Sequence, residues 1–357
     1  MHPYETLDAK YFWATAVANR DMLDIDQLWV PKFNIGKKQR IATFGSCFAQ
    51  HIGRALQNQG YAWASTEPAP PGLSDQNARR FNYDIFTCRT GNIYTTSLLR
   101  QWVSWACGRE AVPDEIWKKD GRFYDPFRPA IEPEGFASKQ ELLASRDFTI
   151  RALRRALSKV RVFVFTLGLT ESWFNKQQGY EYPMCPGTVA GEFDPRLHEF
   201  KNQDHGFVLK NLRQAIKMIR EINPKMRFIL TVSPVPLTAT NSGTHVLVAT
   251  QHSKAILRSV AGQLAASRDY IDYFPSYEVV TTPPFRGAFF EQNQRSVTPQ
   301  GVAHIMGMFF QCLEARFGDS GAVAPVTQRS PGKAEKDASE ADLVCEEELL
   351  SAFGPSA

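Results

Sequence analysis

A serine at a strand-to-helix turn can carry acyl-transfer chemistry, and Ser46 has that setting. The apolar run 41–44 reads as a strand and Gly45 breaks it. Phe48, Ile52, Ala55 and Leu56 then recur on one face of a helix that Gly60 closes. Ser46 therefore stands where unpaired N–H groups and the positive end of a helix converge. In an open α/β sheet this turn lies at the carboxyl edge of the strands, where ligands bind. Two readings fit such a serine: an N-cap, or a nucleophile whose own N–H helps to hold an oxyanion.

Gly45-Ser46-Cys47-Phe48-Ala49 is the motif that names the bacterial GSCFA family, and the chain resembles that branch of the SGNH (GDSL-like) hydrolases. Other blocks agree in order: Gly91-Asn92-Ile93-Tyr94-Thr95, then 166–173, 182–187, 190–195 and 230–240. The match runs from about residue 35 to about residue 317. The resemblance implies a three-layer α/β/α domain with a flavodoxin/SGNH-like sheet and Ser46 as nucleophile. It also implies Gly91 with Asn92, and Gly168, as oxyanion elements. By turn chemistry alone, Gly91-Asn92 reads equally as a tight turn. Thr170 and Glu171 stand where SGNH enzymes offer an asparagine. A Thr170 hydroxyl or N–H can donate, whereas an ionised Glu171 cannot and would orient a base or bind a cationic or hydroxylated substrate.

A serine needs a base, commonly a histidine oriented by a carboxylate. SGNH enzymes carry an Asp-x-x-His block before the last helix; here Asn293 and Ser296 occupy those two places. Neither an amide nor a hydroxyl takes up a proton at neutral pH. His245, at the start of the helix after 233–236, is the best-placed substitute. His304 lies about two turns into the last helix, and His51 is about 140° round its helix from Ser46. No metal is expected, because the six cysteines are scattered and no His-Glu-x-x-His occurs. No cofactor is expected beyond an acyl thioester donor.

The elements that must position these residues alternate between strand and helix. Strands are expected at 41–44, 61–64, 160–166, 228–232 and 270–273, and helices at 150–158, 208–219, 246–266 and from Pro299 onward. That pattern is α/β with a five-stranded, mainly parallel sheet. Residues 1–39 read as a lead-in whose Tyr11, Phe12 and Trp13 pack on the domain. Residues 40–318 form the domain, with an insertion at 75–150 that covers the sheet edge and an irregular segment at 174–206. Residues 319–357 read as a low-complexity, disordered tail, whose acidic end (Leu343, Val344, Leu349, Leu350 and Phe353) could dock on a protein. The 43% hydrophobic content suits a full core, and a dispersed net charge of +4 argues against nucleic acid. No apolar run is long enough to span a membrane, and the polar first 30 residues do not read as a secretory signal, so a cytoplasmic location is expected. Two function classes follow. One is a serine acyl-ester hydrolase or O-acyltransferase acting on a saccharide or another acylated small molecule. The other is a degenerate member that binds a ligand or acts as a scaffold without turnover.

Overall fold

The computed structural model describes residues 2–318 and 345–354. The tail expectation over 319–344 and 355–357 lies outside the described residues. In chain order the elements are β1 (Ile41–Gly45), α1 (Phe48–Asn58), α2 (Asp75–Arg80), α3 (Thr96–Cys107), β2 (Trp117–Lys119) and β3 (Arg122–Tyr124). Next come α4 (Lys139–Lys159), β4 (Val162–Leu167), β5 (Glu171–Asn175), β6 (Glu181–Tyr182), β7 (His198–Asn202) and α5 (His205–Ile222). The rest are β8 (Arg227–Val232), α6 (Val246–Ser267), β9 (Ile271–Tyr273), α7 (Ser276–Thr281) and α8 (Pro299–Phe317), followed by a 3-10 helix at Glu346–Phe353.

Four parallel strands make the central sheet, in the order β1-β4-β8-β9. Their side chains alternate between two cores. Phe44, Phe163, Phe165, Phe228 and Leu230 pack with α3, α4, α5 and α6, while Ile41, Val162, Val164 and Ile229 pack with α1, α7 and α8. Strands apolar at nearly every position are those buried on both faces. The expected fifth strand at 61–64 is reduced to one parallel bridge between Ile41 and Trp63. Pro68, Pro70 and Pro71 follow closely, and proline cannot continue a ladder.

Three other expectations are corrected. Tyr11, Phe12 and Trp13 are exposed; the lead-in packs through Ile25, Trp29, Phe33 and Ile35, with Trp29 stacked on Phe309 of α8 at 5.0 Å. The segment 174–206 is not irregular throughout, because β5, β6 and β7 form an antiparallel sheet. Helix α4 begins at Lys139, well before 150. Within 75–150, α3 is a core helix, capped by the Thr95 hydroxyl, which accepts from Leu98 N at 3.1 Å. Among the described residues no helix is long and apolar enough to cross a membrane.

Glu181 in β6 gives the core a pH response. Its carboxyl accepts from the Thr95 hydroxyl, and burial pushes it up to about 7. The folded chain therefore holds a proton that the unfolded chain has released. The associated stability is full below 4.5 and is lost as pH rises towards about 7. The loss is on the order of 3 kcal/mol at about 1.4 kcal/mol per unit. Glu181→Gln should flatten that decline, read as urea midpoints between pH 4.5 and about 7. An unchanged slope would refute the assignment.

Candidate active site

The parallel register brings three strand ends together. Gly45 pairs with Thr166 and Leu167 with Val232, so Ser46, Gly168 and Ser233 emerge at one edge. They line a small hollow with Tyr94, Lys254 and Glu347. Gly45 sits at φ +132°, and a Cβ there would lie 2.2 Å from the Thr166 carbonyl oxygen. Only glycine lets β1 turn this close to β4. Ser46 is 3% exposed, and its hydroxyl has no hydrogen-bond partner among the described residues. It does not cap α1, whose N-cap is Cys47. An unmade bond to a buried hydroxyl costs about 1–3 kcal/mol.

The fold uses several of the expected oxyanion donors for its own bonds. Ser46 N–H donates to Thr166 O at 3.0 Å, and Gly168 N–H donates to Tyr94 O at 2.9 Å. Thr170 gives its hydroxyl proton to Asn202 Oδ1 at 2.7 Å and its N–H to Ser253 Oγ at 3.0 Å. Gly168 still serves by being small: a Cβ there would lie 3.2 Å from Ser46 Cβ. A separate cradle, occupied by a tail carboxylate, is at Asn92. Ile93 N–H donates to Gly45 O at 2.8 Å, which pins 91–94 beside the Ser46 turn. The Asn92 side-chain amide and backbone N–H, with the Tyr94 hydroxyl, converge on the Glu346 carboxylate. Gly91 has φ +67°, and a Cβ on it would meet a Glu346 oxygen at 2.8 Å.

The other candidates are held elsewhere. His245 is the exposed N-cap of α6, where its Nδ1 accepts from Leu247 N at 3.2 Å, and it is not among the residues lining the hollow. Glu171 accepts from the Thr240 hydroxyl at 2.6 Å and Asn241 N–H at 3.2 Å, tying down the 233–245 loop that walls the hollow. Asn293 and Ser296 bond to each other (Nδ2 to Oγ, 2.9 Å), so the Asp-x-x-His positions form a closed turn. His304 stacks on Phe289 at 5.0 Å. His51 lines a second small hollow with Cys47, Arg295, Ser296 and Cys345. Burial, helped by Arg54, lowers the His51 imidazole to about 4. Among the described residues no cluster of three or more His, Cys, Asp or Glu could hold a metal ion.

Sequence reasoning missed Lys254. It is 2% exposed, on the inward stripe of α6 with Thr250, Leu257 and Ala261, and Nζ donates to Gly168 O at 2.6 Å. Burial lowers the ammonium to about 8, opposed by the charge of Glu347 and aided by Arg295. Roughly a tenth of the amine is therefore neutral at pH 7. The signal was present in that spacing, because a lysine three and seven residues before the apolar Leu257 and Ala261 lies on the core face.

The tail's acidic residues, not its apolar ones, enter the site. Glu346 and Glu347 are buried, whereas Leu349 and Phe353 are exposed; Leu343 and Val344 lie outside the described residues. Glu347 accepts from Thr238 N–H at 2.7 Å, and Arg295 meets Glu348 at 2.8 Å. Cys47 donates a hydrogen bond to the Cys345 sulfur, which Arg295 also approaches at 3.8 Å. Those contacts hold the Cys345 thiol below its usual range.

A solved structure that resembles the chain is the Clostridium thermocellum family 3 carbohydrate esterase, at 11% identity. The alignment covers 78% of this chain and 98% of that one, with a TM-score of 0.27, too loose to carry an argument about chemistry. No curated protein matches the chain in sequence. The model of the GSCFA family matches residues 40–309, which include the Ser46 turn, the Asn92 cradle and Lys254, and the chain belongs to that family.

Proposed function

We propose that the protein is a serine acyl-transfer enzyme, an acyl-ester hydrolase or O-acyltransferase, that uses Ser46 as nucleophile and Lys254 as base. One observation carries the reading: the unpartnered Ser46 hydroxyl opens on the same hollow as the buried Lys254 amine, beside a cradle that already holds a carboxylate. In the forward step Ser46 Oγ attacks the acyl carbonyl and its proton passes to neutral Lys254. The carbonyl oxygen becomes an oxyanion held by the Asn92 N–H groups and the Tyr94 hydroxyl. Lys254 then returns the proton to the departing alcohol or thiol, leaving an acyl-Ser46 ester. Water, or an acceptor hydroxyl such as that of a saccharide, reverses the sequence, with Lys254 again taking the proton. A lysine with a lowered pKa suits this duty, since a base works best with its pKa near the working pH.

The competing reading, a ligand-binding member without turnover, draws on the mutual hydrogen bond that closes Asn293 and Ser296. A fluorophosphonate probe separates the two. We expect a covalent adduct on Ser46 in the full chain, faster once Glu346→Ala empties the cradle, and none in Ser46→Ala. If wild type and Glu346→Ala are both folded and both unlabelled, the enzyme reading is wrong and the binding reading stands.

A further inference from the structure

We infer that the cleft over Ser46 is a receptor for an acidic peptide, and that its resident ligand is the chain's own Cys345–Glu346–Glu347–Glu348 segment. The contacts form a built site rather than a chance approach. Glu346 reaches the two Asn92 donors and the Tyr94 hydroxyl. The backbone takes part as well: Glu347 N–H donates to the Tyr94 oxygen at 3.3 Å, so one phenol accepts from the peptide and donates to it. Glu347 receives Thr238 N–H and faces Lys254 across the hollow, while Arg295 pairs with Glu348. Donors and cations on the cleft side therefore match the three consecutive carboxylates. Buried carboxylates without such partners would be expelled.

A covalent handle sits at the edge of this site. Cys47 follows Ser46 and Cys345 precedes the acidic run, and both residues line the second hollow. A small disulfide such as oxidised glutathione can join them. The Cys345 thiolate attacks one glutathione sulfur, breaking its S–S bond and releasing one glutathione thiolate. Cys47 loses its proton and attacks the Cys345 sulfur of the mixed disulfide, expelling the second. Two protein thiols are oxidised by two electrons, glutathione disulfide is reduced, and the two protons end on the two glutathiones. The bond would fix the peptide over Ser46 until a thiol reductant returned the electrons.

The inference does not rest on turnover, since its readouts report docking whether or not Ser46 reacts. A fluorescein-labelled peptide of sequence 345–353 is titrated into the full chain and into full-chain Glu346→Gln/Glu347→Gln. A tethered tail competes at an effective concentration on the order of millimolar. The peptide should therefore bind the double variant and bind wild type at least about tenfold more weakly. Equal binding to both, or to neither when both are folded, would overturn the proposal. A second measurement needs only wild type: treat the full chain with oxidised glutathione and map disulfides by mass spectrometry. An intramolecular Cys47–Cys345 link is expected. Its absence from folded protein would refute the proposal, and a Cys47–Cys345 link joining two chains would reassign the occupant to a second copy.

Discussion

Lys254→Met should lower the rate of fluorophosphonate labelling at Ser46 by about 10²–10⁴, the range in which a general base contributes. That corresponds to about 3–5 kcal/mol of barrier. The thioether keeps most of the packing volume on the inward stripe of α6 and removes the only titratable atom of the side chain. Lys254→Arg is the sharper control, because it can still donate to Gly168 O but stays charged and cannot accept a proton. If Lys254 only braced Gly168, arginine would rescue; as a base, it would not. The pH profile gives an independent reading. Burial sets the amine near 8, so wild-type labelling should climb as pH rises through about 8. The charge of Glu347 holds the amine up and Arg295 pushes it down. Glu347→Gln therefore removes a stabilising charge and should move the midpoint to lower pH. A profile flat through pH 8, or Lys254→Met labelling at the wild-type rate, would place the base elsewhere.

The route from sequence to this site shows which signals survive folding. The apolar strands were legible because a parallel strand buried on both faces has to be apolar at nearly every position. The expected 160–166 and 228–232 became β4 and β8 with shifts of a residue or two, and Thr298-Pro299 did open α8. Ser46 was legible for a related reason, since a strand that stops at a glycine before a helical stripe leaves little choice of turn. The first half of α4 was not legible. Its buried face is Leu142, Arg146 and Thr149, so two of its three inward positions are polar and no apolar period appears. Lys254 and the glutamates at 346 and 347 went unseen for the same cause. Each is a charged residue that chain composition assigns to solvent, and each is buried by a partner far away in sequence. His245 was chosen as base on residue type and loop position. The backbone instead used its ring as a helix cap.

The polar residues inside α4 belong to a network whose loss should be the largest stability effect in the molecule. Asp125 is fully buried; burial pushes its carboxyl up, but Arg146 and Arg128 outweigh that and hold it below the usual carboxylate range. Arg128 Nε reaches one oxygen at 2.8 Å, and Arg146 Nη2 reaches the other at 2.9 Å. Asp125→Ala would strand two guanidinium groups, and breaking a buried pair this way costs about 3–5 kcal/mol. The urea midpoint should fall accordingly. The triple variant Asp125→Ala/Arg128→Met/Arg146→Met should recover part of the loss, because an apolar replacement of a whole buried ionic cluster is often neutral. A loss under about 1 kcal/mol for Asp125→Ala would mean that water reaches the cluster. The network also reaches the site. Arg128 donates to the Arg89 carbonyl at 3.3 Å and to Thr149 Oγ1 at 2.7 Å. Thr149 donates to Glu67 at 2.9 Å, and Glu67 accepts from Arg89 N–H at 2.9 Å. Arg89 is two residues from Gly91, so the carboxylate that holds the arginines also fixes the loop that carries Asn92. In protein still folded at low urea, Asp125→Ala should therefore slow Ser46 labelling as well. Stability loss with an unchanged labelling rate would show that the Asn92 cradle is held by Ile93 and Gly45 alone.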